Sequence, residues 1–361
     1  MDDIIYLSES DEVEKCFEIK LSQIGNVDFM GKVTFFLGIE FTWNELPDGH
    51  LCVGLTQQSF VESLLYSLQI SVEGTSTYSS PYKSGVNIDS IPCQDMDPLE
   101  RDKLRLQYQS LVGSLNWLAH TPRPDISTIV SLLAQHQSMP SPGHYDAALY
   151  VAYYLANTRN LGVYFTSTRS STIESFLHFP LPRPLISMSD ANWGPQDASS
   201  KKLPDLPLFA SRSMSAFYVD LFGPLHWLSK RQTVTAGSSA EAEIYAMDEC
   251  VKFLLELVQL LDFLKVKHLF MPLVNTIYND NKACVCWSKS CTTKGLRHIQ
   301  MRENRVRENV QNNFVQICHI NGKINLEDIF TKEMRDASHF VELRNLMLRP
   351  RLLSSSSEES S

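Results

Sequence analysis

The chain has 361 residues, 43% of them hydrophobic, with 18 Phe, enough for two or three domains with cores of their own. Its net charge of −9 excludes sequence-blind nucleic-acid binding by the whole surface, leaving local basic patches as the places where nucleic acid could bind. No apolar run reaches membrane-spanning length, and the acidic start MDDIIYLSES is no signal peptide.

Eight cysteines are scattered without C-x-x-C pairs, and Cys284, Cys286 and Cys291 have no histidine pair to complete a zinc set. Free thiols in a reducing, intracellular and cytoplasmic setting are therefore expected. In chain order, Met1–Leu7 predicts a strand, and the following Ser/Asp/Glu cap predicts a helix with Val13, Phe17, Leu21 and Ile24 on one face. The β-forming run Val33–Thr42, the LPDG turn at 46–49 and Leu51–Thr56 predict a hairpin, followed by a helix over Gln57–Gln69. Residues 71–96 shift to Ser, Thr, Pro and Gly, the composition of a linker. Leu99–Asn157 is helical in pattern, broken by TPRPD at 121–125 and SMPSPG at 138–143. After a polar stretch at Thr166–Thr172, strands are predicted at Leu185–Asp190, Met214–Leu221, Pro224–Leu228, Leu273–Tyr278 and Phe314–Ile320. Helices are predicted from Asp280, over Leu296–Glu308 and from Asn325, and the tail SSSSEESS has a disordered composition.

The longest helical signal is Thr233–Leu264. Ser238 and Glu241 have the spacing of a capping box. Ala240, Ile244, Met247, Val251, Leu254, Leu255, Val258 and Leu261 form a single apolar stripe. Glu241 falls on the polar side, whereas Glu243 falls in the stripe with Met247, Cys250 and Leu254. A charge buried there needs a cation, a proton or a partner, unless a frayed first turn lets Glu243 reach water. Asp190, Asp280 and Asp328 stand at other element ends. Singly, Asp280 and Asp328 read equally well as helix caps, and Asp190 as a turn residue. Together with Glu243 on one rim of an α/β sheet, they suit a hard cation such as Mg²⁺.

The motifs SDANW (189–193), LHWLSKRQTVTAGSSAEAE (225–243), YNDNKA (278–283), RHIQMRENRVRE (297–308) and LEDIFTK (326–332) resemble, in this order, the ribonuclease H domain of copia-type retrotransposons. Upstream, MDDII resembles the end of the reverse-transcriptase Y-x-D-D motif, FFLGIEF (35–41) the strand pair that grips the primer, and YQSLVGSLNWLAHTPRPDIS (108–127) the thumb. The resemblance implies an α/β fold with an RNase H-like mixed sheet and flanking helices, after an incomplete reverse-transcriptase palm and a helical thumb. The corresponding divisions are 1–75 (palm remnant and primer-grip hairpin), 76–165 (linker and thumb), 180–348 (RNase H-like) and 349–361 (tail). The family's acids fall on Asp190, Glu243, Asp280 and Asp328, implying two Mg²⁺ ions, with Mn²⁺ able to substitute, and cleavage of the RNA strand of RNA–DNA hybrids.

Lys289, Lys294, Arg297, His298, Arg302, Arg305 and Arg307, with Lys230 and Arg231 before the long helix, are candidate phosphate contacts, or else a solvated charged face. Expected partners are the hybrid and the remaining retroelement polyprotein, with no membrane. Trp117 and Trp193 read as core residues, and His319 as a structural residue within a strand. The family's loop histidine is replaced in NGKIN by Lys323. The rival reading is a non-catalytic nucleic-acid-binding or assembly remnant. Asp2 and Asp3 read as relics of a polymerase site whose third acid and fingers are not encoded here. No primer extension is expected from this chain, and template-directed incorporation abolished by Asp2→Asn would contradict that.

Overall fold

The computed structural model describes residues 3–72, 78–92, 95–167, 185–194, 212–270, 274–289, 300–334 and 336–351. Residues 3–8 form no regular strand, contrary to the sequence expectation, and the helix that follows, α1 (Asp11–Ser22), buries none of its residues. Its N-cap is Ser10, whose hydroxyl accepts from the Val13 N–H. Phe17 meets the ring of Tyr6 at 4.9 Å, while Val13 and Ile24 are exposed.

The predicted hairpin is present as β1 (Phe35–Phe36), β2 (Ile39–Glu45) and β3 (Leu51–Thr56), followed by α2 (Gln58–Ser67). Leu37 and Gly38 both take positive φ, the geometry of a two-residue turn matched to strand twist. The helical stretch divides into α3 (Pro98–His120), α4 (Ser127–Ala134) and α5 (Pro142–Asn157). Between α3 and α4 the TPRPD turn carries a buried ion pair. Arg123 grips both carboxylate oxygens of Asp125 at 2.9 and 2.7 Å and donates to the Thr158 carbonyl, while the Tyr154 hydroxyl donates to Asp125 at 2.6 Å. Every strong polar atom of the pair is thereby engaged, as a buried charge requires.

β4 (Leu161–Thr166) joins β3 as an antiparallel neighbour and was not read from the sequence. The second sheet is built from β5 (Leu185–Asn192), β6 (Met214–Leu221) and β7 (Pro224–Arg231), then the long helix α6 (Ser239–Phe263), β8 (Asn275–Asn279), α7 (Lys282–Ser288), α8 (Gln300–Gln311) and β9 (Val315–His319). Its order is β7-β6-β5-β8-β9, antiparallel through β7, β6 and β5 and parallel through β5, β8 and β9. This is the RNase H-like mixed sheet expected from the sequence. The expected final helix from Asn325 is a single turn, α9 (Asp328–Thr331), followed by α10 (Ala337–Met347) and a short strand β10 (Leu348–Pro350). β10 returns to pair with β4, closing the first sheet as β1-β2-β3-β4-β10.

Strand alternation sends side chains to two cores. Leu185, Phe217, Val219, Ile277 and Ile317 pack under the apolar stripe of α6. Ile186, Met188, Ala216, Tyr218 and Trp227 face the other way, into the core that holds α3, α4 and α5. Hydrogen bonds sew this second interface: Trp227 Nε1 donates to the Ala119 carbonyl at 2.7 Å and Thr128 Oγ1 to the Ile329 carbonyl at 2.8 Å. The β6–β7 turn rests on β4, where a Cβ on Gly223 would stand 2.3 Å from the Tyr164 carbonyl oxygen. The helical layer is thus one face of the second sheet's core.

Candidate active site

Three elements meet at one end of the second sheet. β5 carries Asp190, α6 carries Glu243, and Asp280 directly follows β8. One carboxylate oxygen from each lies within 4.8 Å of the other two, the single such group of three or more metal-ligating side chains among the described residues. Asp190 is 3% exposed and Glu243 4% exposed. Glu243 reaches inward because α6 begins at Ser239, capped by the Ser238 hydroxyl, which accepts from the Glu241 N–H. Glu241 stays outside this group. Its carboxylate accepts from the Gly237 N–H at 2.7 Å and from the Tyr245 hydroxyl at 3.0 Å. The capping role stands, with Gly237 as the donor in place of the Ser238 backbone.

Neighbouring polar groups fix the acids. Thr331 Oγ1 donates to Asp190 at 2.6 Å. The Asn279 amide donates to Glu243 at 2.9 Å and to the Ser189 carbonyl at 2.7 Å, tying α6 to β5 through β8. The sequence reading passed over Asn279; its place inside YNDN, at the last position of a buried strand, was the available signal. Asp280 is not a cap, since Asn281 caps α7. Gly322 lets the loop after β9 cross closely, because a Cβ there would lie 3.0 Å from Asp280 Oδ2. His319 is exposed on this side, its Nε2 3.1 Å from the Asp280 carbonyl oxygen.

The charges are in conflict. Burial pushes the Asp190 carboxyl up to about 6, and Asp280 and Asp328 add to the shift against the pull of Lys332 and Thr331. Burial likewise raises Glu243 well above the usual range, with Asp190 adding to it. Such a set is stabilised by a cation, and its all-oxygen donors are those that hold Mg²⁺ or Mn²⁺. By donor chemistry and convergence, these residues fit a hard divalent ion.

Asp328, read from the sequence as the fourth acid, does not join the group of three; its carboxylate is paired with Lys332. Its neighbour Glu327 was missed. It is fully buried, accepts from the Tyr218 N–H at 3.0 Å, and is raised by burial and by Asp190. Nothing in the Leu-Glu-Asp order tells which carboxylate a one-turn helix turns inward.

Of the expected phosphate contacts, Lys230 and Lys289 are exposed. Arg231 is instead committed to Asp89 at 2.6 Å and to the Arg212 carbonyl, and Arg305 to Asp248 at 3.0 Å. In both cases a carboxylate of the chain pairs with the guanidinium, half-buried for Asp89 and fully buried for Asp248. Arg307 lies over the Trp287 ring at 4.5 Å. Lys294, Arg297, His298 and Asp2 lie outside the described residues, as do the side chains of Arg302 and Lys323. Asp3 is exposed in irregular backbone. Trp193 is 52% exposed and Trp117 39% exposed, so neither is the core residue expected; the Trp193 indole donates to the Ala236 carbonyl at 3.1 Å.

The Arg305 assignment carries an expected result. Arg305→Met removes the guanidinium at 3.0 Å from Asp248, which is fully buried, while the Lys252 ammonium at 2.9 Å stays. Stability should fall by roughly 1–3 kcal/mol, seen as a lower denaturation midpoint. A phosphate contact would do the opposite, leaving the midpoint unchanged and flattening the salt dependence of hybrid binding.

A mixed sheet of this order with three converging carboxylates defines an RNase H-like α/β protein. Its homologues are the Pol polyproteins of copia-type retrotransposons. The chain is 26% identical over 338 residues to the Retrovirus-related Pol polyprotein from transposon RE2 of Arabidopsis thaliana, covering 92% of this chain and 20% of that protein. With the RE1 polyprotein of the same plant it shares 27% over 322 residues, covering 87% of this chain and 19% of the relative. With the Transposon Ty1-ER2 Gag-Pol polyprotein of Saccharomyces cerevisiae it shares 24% over 261 residues, covering 71% and 13%. The chain thus spans about a fifth or less of the length of these relatives. No family model matches it. Among solved structures, LC11-RNase H1 in complex with RNA/DNA hybrid aligns at 12% identity and a TM-score of 0.29, covering 43% of this chain and 98% of that one.

Proposed function

We propose that the chain is a divalent-metal-dependent endoribonuclease that cuts the RNA strand of RNA–DNA hybrids. The observation that carries this reading is the convergence of Asp190, Glu243 and Asp280 from three separate elements to within 4.8 Å. These three carboxylates would hold Mg²⁺, with Asp328 at their flank. Bound Mg²⁺ supplies Lewis-acid neutralisation of the charge that builds on the phosphoryl oxygens during an in-line displacement. The chain's own part is to hold the acids in place before the substrate arrives: Thr331 holds Asp190, Asn279 holds Glu243, and the loop at Gly322 lies against Asp280. Choice of the RNA strand requires contact with its 2′-hydroxyls.

The family relationship supports the hybrid as substrate and the rest of a Pol polyprotein as the covalent or assembly partner. The test is cleavage of an end-labelled hybrid by the purified chain with Mg²⁺, with Mn²⁺ and with EDTA, beside single-stranded RNA and duplex DNA. Metal-dependent cutting of the hybrid alone supports the proposal. Hybrid binding without cutting under every condition favours a non-catalytic binding remnant.

A further inference from the structure

Among the described residues, Lys332 places an ammonium, a charge of the same sign as a metal ion's, against the acids of this site. Its ammonium pairs with Asp328 four residues back, within the field of Asp190 and Asp280. The backbone on which it stands is pinned. The preceding Thr331 bonds Asp190, the Thr331 carbonyl accepts from the Asn192 amide at 3.4 Å, and the Lys332 carbonyl accepts from the Tyr82 hydroxyl at 3.4 Å. Movement is therefore left to the four-carbon stem, and the side chain, 43% exposed, has water to swing into.

Resting on the metal-dependent reading above, we propose that Lys332 is a tethered counter-ion. It holds the acidic rim together without metal and keeps Asp328 away from Asp190, Glu243 and Asp280; on metal binding it yields Asp328. Two cations cannot share the rim without repulsion, so each metal ion that enters must displace the ammonium or push it outward. Asp328, outside the group of three while paired to Lys332, becomes free to turn toward it.

The test compares the full chain with Lys332→Met and Lys332→Arg, following Mn²⁺ binding by the loss of free-ion paramagnetic resonance and melting temperature with EDTA or Mn²⁺. Lys332→Met should bind Mn²⁺ roughly tenfold more tightly, melt lower in EDTA, and gain more on adding Mn²⁺ than the wild type does. Lys332→Arg, which keeps the charge, should stay near wild type in all three. If Lys332→Met fails to fold in EDTA, Lys332→Gln keeps a hydrogen bond to Asp328 without the charge and carries the same expectation. Equal Mn²⁺ affinity and equal thermal gain in the neutral variants and the wild type overturn this proposal and leave the metal-dependent reading standing. A wild-type chain that binds no Mn²⁺ overturns both.

Discussion

On the proposed function, Glu243→Gln should remove hybrid cleavage, by at least about a thousandfold, while Glu241→Gln should leave it within a few-fold of wild type. The two glutamates sit two positions apart in α6, which places them about 200° apart around the helix and so on different faces. Glu243 lies in the group of three carboxylates, with Asn279 donating to it. Glutamine is nearly the same shape, so the fold should survive, but it takes a negative charge from the set that would hold the metal. Glu241 binds the Gly237 N–H and the Tyr245 hydroxyl. Glutamine there still offers an acceptor oxygen, so the expected cost is a few tenths of a kcal/mol of capping, roughly the low end for cap changes. Initial rates at saturating Mg²⁺, with thermal melts as the control for folding, decide the matter. Equal losses of activity in both variants would remove Glu243 from the proposed metal set.

A fragment of residues 185–351 should not fold cooperatively, although it contains every strand of the second sheet and all the proposed catalytic acids. Without α3, α4 and α5, the faces of Ile186, Met188, Tyr218 and Trp227 lose their cover. At about 1.5–3 kcal/mol for each large apolar side chain, that is roughly 6–12 kcal/mol, against a net stability of about 5–15 kcal/mol for a typical domain. The Trp227 and Thr128 bridges and the β4–β10 pairing are lost as well. The whole chain should show a transition that the fragment lacks, in both thermal melting and amide dispersion. A fragment that melts sharply within a few degrees of the whole chain would mean that the helical layer is a passenger.

Much of the second sheet was legible in the residues. β6 has the limits expected from the sequence, and the other four strands lie within a few residues of their expected positions. Apolar periodicity reports burial wherever an element is long enough to repeat it several times. The same logic separated Glu243 from Glu241, because a 25-residue helix states its buried face many times over. Periodicity also drew an apolar face on α1, where the structure leaves that face uncovered, since a pattern says which side could be buried and not what lies against it.

What the residues left undecided were short elements and partnerships between distant positions. β10 is three residues long and has its strand partner in β4, nearly two hundred residues earlier in the chain. The inward turn of Glu327, the exposure of Trp193 and the grip of Asp89 on Arg231 depend in the same way on which segments meet. The sequence by itself determined the sheet and the helix that present carboxylates at one rim, because local period and burial are written in neighbouring residues. Only the tertiary structure decided that three acids converge while the fourth rests on Lys332, and that two expected phosphate contacts pair with carboxylates of the chain instead. Charge pairing acts over a few ångströms in space, and separation along the chain carries no record of it.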